Sequence, residues 1–259
     1  MGNSLIASTD SKGQNPLEKP SIFLAFPFRE RDGWIQHQLP GILASWGYRA
    51  AIGSHFHARP IAESVTSTID ATNLVVCFLL RGSRLAAGGW TASDWVLQEL
   101  GYAKGKGLPV VVVRERGVRS EVGLLGDIQL IELDPTAPFL ALLTLRATLQ
   151  AMLPPAPTEG VLRVRHLARP TKQQDGKQWW DFWTWIDGPE DLLNAVTRVS
   201  YVFPRSFDPW SEASSNRAAA FGNYGETDDE FNLHVIAESR TKSKEKFKYR
   251  VALWRLGYA

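Results

Sequence analysis

The stretch NLVVCFLL, from Asn73 to Leu80, is apolar at every position after its first residue. Successive side chains of a strand point to opposite faces, so this strand leaves neither face suited to water. Both faces must be covered, and a parallel sheet flanked by helices is the usual solution. LPVVVV, from Leu108 to Val113, makes the same demand, and SDWVLQELGYAKGKG between them has helical spacing. Strand, helix and strand in that order form a parallel unit with a right-handed crossover.

The alternation continues on both sides. SIFLAF (from Ser21) and YRAAIG read as strands, and IQLIEL as a weaker one. GWIQHQLPGILASWG reads as one helix that stops at Gly47. RPIAESVTSTIDAT sets Ile61, Val65 and Ile69 on one helical stripe, and PFLALLTLRATLQAML closes the series. Five strands separated by helices predict an α/β fold, a doubly wound five-stranded parallel sheet. Cys77, the single cysteine, lies inside the central run; it cannot form an internal disulfide and reads as a core residue. That fits a reducing, cytoplasmic setting.

After PPAPTEG, Pro154 to Gly160, the period changes to two. Prolines end the helix and stiffen the connection, so 154–160 reads as a linker between 21–153 and 161–259. In QWWDFWTWID, Trp179, Asp181, Trp183 and Trp185 share one face; Trp180, Phe182, Thr184 and Ile186 share the other. EFNLHVIAE and KFKYRVALW alternate in the same way. Strands with turn signals and no clear helix predict a small antiparallel β-sandwich. A length of 259 residues accommodates two such domains. Residues 1–20 lack the cationic start and apolar core of a signal peptide and read as a mobile tail. Ile6 occupies the position where myristoylation needs Ser or Thr.

Composition narrows the partners. Apolar residues make up 44% and charged residues 22%, and the formal net charge is +2, so no strong field directs the chain to nucleic acid or membrane. The basic run RTKSKEKFKYR is interrupted by Glu245 and reads as a solvated hairpin. His55 and His57 in GSHFHARP have too few neighbouring ligands for a metal site and read as loop residues. RGSRLAAGGW is either a phosphate-contacting loop or a flexible connection. The first strand is not followed by Gly-x-Gly-x-x-Gly, which disfavours a redox dinucleotide fold.

One helix carries the chemistry. Thr91 and Asp94 have capping-box spacing, which starts the helix near Thr91. Val96, Leu100 and Ala103 form the stripe that faces the sheet, and Trp95, Glu99 and Tyr102 lie on the adjoining face. In an open α/β sheet, ligands bind outside the carboxyl ends of the strands, where this helix begins. Spacing alone leaves Glu99 a solvated surface residue.

SDWVLQELGYAKGKGLPVVVV resembles the segment of Toll/interleukin-1 receptor (TIR) domains that bears the catalytic glutamate of their NAD⁺-cleaving members. SIFLAFPFRERD is similar to the first strand and the turn after it, and GSHFHARPIAESVTSTIDATNLVVCFL to the loop, helix and strand that follow. The likeness spans roughly Ser21 to Leu153. It implies a flavodoxin-like sheet and cleavage of an N-glycosidic bond, with NAD⁺ as substrate and no cofactor or metal. Glu99 takes the catalytic position. Trp95 is either a packing partner for base or ribose, or core. Phe28 is a candidate for stacking on nicotinamide or for capping its turn. Arg29 is a candidate for a phosphate or a solvated base. Nucleoside deoxyribosyltransferases share the layout and also use a glutamate.

VTRVSYVFPRSFDPW resembles the signature of YEATS domains, immunoglobulin-like readers of acylated lysine. Val196, Val199, Tyr201, Phe203, Ser206, Phe207 and Pro209 match, followed by Phe221, Glu230 and Phe231. Pro204 replaces the histidine of eukaryotic readers. GNYGETDDEF lacks the tryptophan of their Gly-Trp-Gly loop, with Tyr224 as the available ring. The pair of resemblances implies a prokaryotic defence or signalling NAD⁺ hydrolase. Its TIR unit self-associates, and its sandwich senses a peptide or small-molecule trigger. A non-catalytic adaptor and a deoxyribosyltransferase-like enzyme are the alternatives.

Overall fold

The structure is a computed structural model that describes residues 18–53, 61–119, 128–158 and 160–254. The sequence expectations for residues 1–17 of the tail, His55 and His57 lie outside these residues. The first half contains five strands: β1 Ser21–Ala25, β2 Arg49–Ile52, β3 Leu74–Leu79, β4 Val110–Glu115 and β5 Gln129–Leu133. All pair in parallel in the order β2-β1-β3-β4-β5. The direction of winding therefore reverses between β1 and β3, which leaves a crevice at their carboxyl ends.

Alternation along the strands sends two sets of side chains to two cores. Phe23, Ala25, Val75, Cys77, Leu79, Val110 and Val112 face helices α3 (Ile61–Asp70) and α4 (Asp94–Gly105). Ile22, Leu24, Val76, Phe78, Val111 and Val113 face α1 (Gly33–His37), α2 (Leu39–Ser45) and α5 (Pro138–Met152). Cys77 is wholly buried and free, as its apolar run implied. No helix among the described residues is long and apolar enough to cross a membrane.

Two local expectations are corrected. The helix expected over GWIQHQLPGILASWG is two helices that break at Gln38. Pro40 lacks an N–H and is tolerated only in a first turn, so a new helix starts at Leu39. The Thr91 capping box does not form. Helix α4 begins at Asp94, and the Thr91 hydroxyl instead accepts a bond from the Ser83 amide, at 3.0 Å.

The second half folds as two antiparallel sheets. One has the order β10-β7-β6 and the other β12-β11-β8-β9. Their strands are β6 Arg163–Gln174, β7 Lys177–Asp187, β8 Val196–Val202, β9 Ser211–Ser214, β10 Asn223–Thr227, β11 Phe231–Ser239 and β12 Lys244–Val251. Trp180, Phe182 and Ile186 of β7 meet Val199, Tyr201, Leu233 and Val235 in a core between the sheets. A short helix, α6 (Glu190–Ala195), interrupts the expected all-strand pattern, with Pro189 before it and two acids in its first turn.

The opposite face of β7 is buried from Trp183 onwards. Trp183 and Trp185 enter the core of the first half, beside Leu142 and Leu145 of α5. Trp185 stacks on Phe139 with centroids 5.8 Å apart, and the Trp183 indole donates to the Thr136 carbonyl. The carboxyl-terminal half of β7 is thus covered on both sides. Trp185→Ala should cost about 3–5 kcal/mol in urea unfolding. A loss under 1 kcal/mol would mean that this face is not a packed core.

Candidate functional site

Helix α4 lies along β3 with Val96, Leu100 and Ala103 fully buried against the sheet. Glu99 is adjacent on the helix surface, yet it is only 6% exposed. Burial raises the pKa of the Cys77 thiol, and the nearby Glu99 charge adds to the rise, so the carboxylate lies close to β3. Cys77 pairs with Ala25 of β1 and Val112 of β4, so Glu99 overlooks the strands that meet at the winding reversal. One carboxylate oxygen, Oε2, is buried with no hydrogen-bond partner among the described residues. Burial pushes the Glu99 pKa from 4.5 up to about 7, and the nearby Trp95 side chain opposes the rise more weakly.

The other expected contacts lie across the edge. Phe28 is 42% exposed and rests on Phe26, with centroids 4.5 Å apart. Phe26 belongs to the core under α1 and α2, on the face opposite α4. The Arg29 guanidinium donates to Asp32 at 2.7 Å and to the Arg81 carbonyl at 2.5 Å. Phe28 and Arg29 therefore belong to the α1 side, Glu99 and Trp95 to the α4 side. A ligand touching all four would straddle the carboxyl edge between β1 and β3.

Sequence reading missed a charged network at this edge. Asp32 and Glu115 are buried, and Arg29, Arg31 and Arg81 surround them. Arg31 reaches Glu115 at 3.1 Å, and the Arg81 amide donates to the same carboxylate at 2.8 Å. Burial raises the Asp32 pKa, and the two neighbouring arginines, Arg29 and Arg31, oppose the rise. The pairs of Asp32 with Arg29 and Arg31 are local, but those of Glu115 with Arg31 and Arg81 join residues far apart in the chain.

RGSRLAAGGW is not a loose connection. Gly82 and Thr91 bond across it at 2.7 Å, and the Trp90 amide donates to Gly117 beyond β4. Arg81 lies over the Trp90 ring at 5.8 Å. Gly88 and Gly89 hold φ of 80° and 87°, a turn that side chains with a Cβ rarely adopt.

No family model matches the chain, and no curated protein is similar to it in sequence. Among solved structures it is similar to the CMP N-glycosidase BcmB of Clostridium botulinum. That likeness has 17% identity and a TM-score of 0.37, over 48% of this chain and 98% of that one. The TIR domains of the activated Roq1 resistosome match at 17% identity and a TM-score of 0.29, over 50% and 72% of the two chains. The yeast AF-9 homologue Yaf9, a YEATS protein, matches at 14% and 0.30, over 37% and 71%.

Proposed function

We propose that this chain is an NAD⁺ hydrolase that cleaves the N-glycosidic bond to nicotinamide. Its residues 21–153 form a flavodoxin-like TIR unit, and 161–259 an immunoglobulin-like sensing module. The observation that carries the reading is Glu99, a buried carboxylate with one unpartnered oxygen on the helix that packs against the central strand of a parallel sheet. Burying such a group without a partner is costly, and that cost is explained if a ligand supplies the partner.

In the reaction, the bond between ribose C1 and the nicotinamide nitrogen breaks, and its electron pair leaves with the base. Positive charge grows on the ribose, water adds to C1, and one proton is released. Carboxylate Glu99 stabilises the developing charge and accepts a hydrogen bond from a ribose hydroxyl. Trp95 orients it. The ionised form is the active one, so kcat/KM should rise with pH through about 7 and level off above it. A flat profile from pH 5 to 9 would remove Glu99 from the essential groups.

The test is base release by this chain, concentrated and assembled. Release of nicotinamide that vanishes in Glu99→Ala supports the proposal. Base exchange on deoxynucleosides would favour a deoxyribosyltransferase instead, and inertness towards both substrates an adaptor.

A further inference from the structure

Between β9 and β10 lies a cleft of about 460 Å³. Its inner wall is aromatic. Phe207 stacks on Phe203 at 5.4 Å and lies 4.7 Å from Phe231 behind it. Tyr224 is half exposed at the mouth, its hydroxyl donating to Asp181 at 2.9 Å. The charged lining is of one sign: Asp208, Glu212, Glu226 and Asp228 border the cleft, and among the described residues no lysine or arginine does.

Two of those acids have cationic partners outside the cleft. Lys177 meets Asp228 at 2.5 Å, and Lys172 meets Glu226 at 3.6 Å. Among the described residues no ion pair reaches Asp208 or Glu212; Glu212 accepts only from the Asn223 amide. The chain itself displays the chemistry such a cleft suits. The Lys172 ammonium lies 5.5 Å from the Trp179 ring centroid while it bridges to Glu226, and Trp179 is part of the lining.

From this geometry we infer that the cleft binds an organic ammonium ion, a lysine ammonium, plain or methylated, or a free polyamine. Rings attract a cation through their faces, and the surplus carboxylates add Coulomb attraction in a partly desolvated site. A neutral acyl amide would cover the same carboxylates without compensating their lost hydration. The volume suits a side chain with a bulky alkylated head. This inference deepens the sensing role proposed for these sheets. It is tested by binding alone, so its failure and that of the NAD⁺ reading are distinguishable.

The experiment titrates the full chain by calorimetry with three probes: a tetrapeptide carrying trimethyl-lysine, the same peptide carrying acetyl-lysine, and spermidine. The trimethyl-lysine peptide or spermidine should bind at least about tenfold more tightly than the acetyl-lysine peptide, and which of the two binds better identifies the source. Asp208→Asn combined with Glu212→Gln should weaken that binding about tenfold. Lys172→Gln, on an exposed side chain, should tighten it severalfold by releasing Glu226. Equal or tighter binding of the acetyl-lysine peptide, no binding of either cation at millimolar concentration, or indifference to all three substitutions would overturn the assignment.

Discussion

Glu99→Gln is expected to stabilise the protein at pH 8 by on the order of 3 kcal/mol while it abolishes base release. The sign follows from the direction of the shift. Folding raises the carboxyl pKa from 4.5 to about 7, so the folded chain holds this proton more tightly than the unfolded chain does. Stability is therefore full below about 4.5, declines as the pH rises, and carries the whole penalty above about 7. Glutamine keeps the shape and never ionises. The melting temperature of the variant should exceed that of the parent by roughly 5–10 °C at pH 8, and the gap should close near pH 4. Removing the charge from the reacting ribose should lower kcat by about a hundredfold or more. A residue that costs stability and supplies activity is a signature of a working site. Equal melting temperatures at pH 8 would mean that the carboxylate is solvated.

Asp187→Ala should destabilise the protein by about 3–5 kcal/mol, a larger loss than most single core truncations. Asp187 ends β7 and is buried. It accepts from the Trp46 indole beside α2 at 2.9 Å, from Arg146 of α5, and from Arg165 of β6 at 3.4 Å. One carboxylate thus ties the parallel-sheet half to the antiparallel sheets. Removing it leaves two largely buried guanidinium groups and an indole N–H unanswered. Unfolding followed separately by tryptophan fluorescence and by far-ultraviolet circular dichroism measures the loss. Arg146→Met added to Asp187→Leu should recover part of it, because an apolar pair replaces an orphaned charge. Full stability in Asp187→Ala would show that the two halves do not lean on this contact.

The sequence made the parallel sheet readable because its central strands are apolar on both faces. Val75 and Val76 cannot both be buried by any arrangement that covers one side only. The alternation in QWWDFWTWID likewise predicted two faces of β7. What it could not reveal is that α5 covers Trp183 and Trp185, since Phe139 and Leu142 lie far away in the chain. Strand β6 escaped because Arg163, Arg165 and Arg169 mask its alternation. Two of those charges are neutralised by Asp187 and Asp181 on the neighbouring strand. Helical spacing put Glu99 beside the sheet-facing stripe, but burial depends on what lies over that face. For Arg29 the turn suggested an anion from outside, whereas Asp32, three residues on, holds its guanidinium.

The central claim is that the Glu99 carboxyl is buried where NAD⁺ binds, and it can be read directly by ¹³C NMR. With glutamate labelled at the carboxyl carbon, Glu99 is identified by comparison with Glu99→Gln and titrated with and without NAD⁺. The account predicts a pKa of about 7 in the free protein and a lower one with NAD⁺, since the positive nicotinamide ring favours the carboxylate. A titration near 4.5 that ignores NAD⁺ would contradict it.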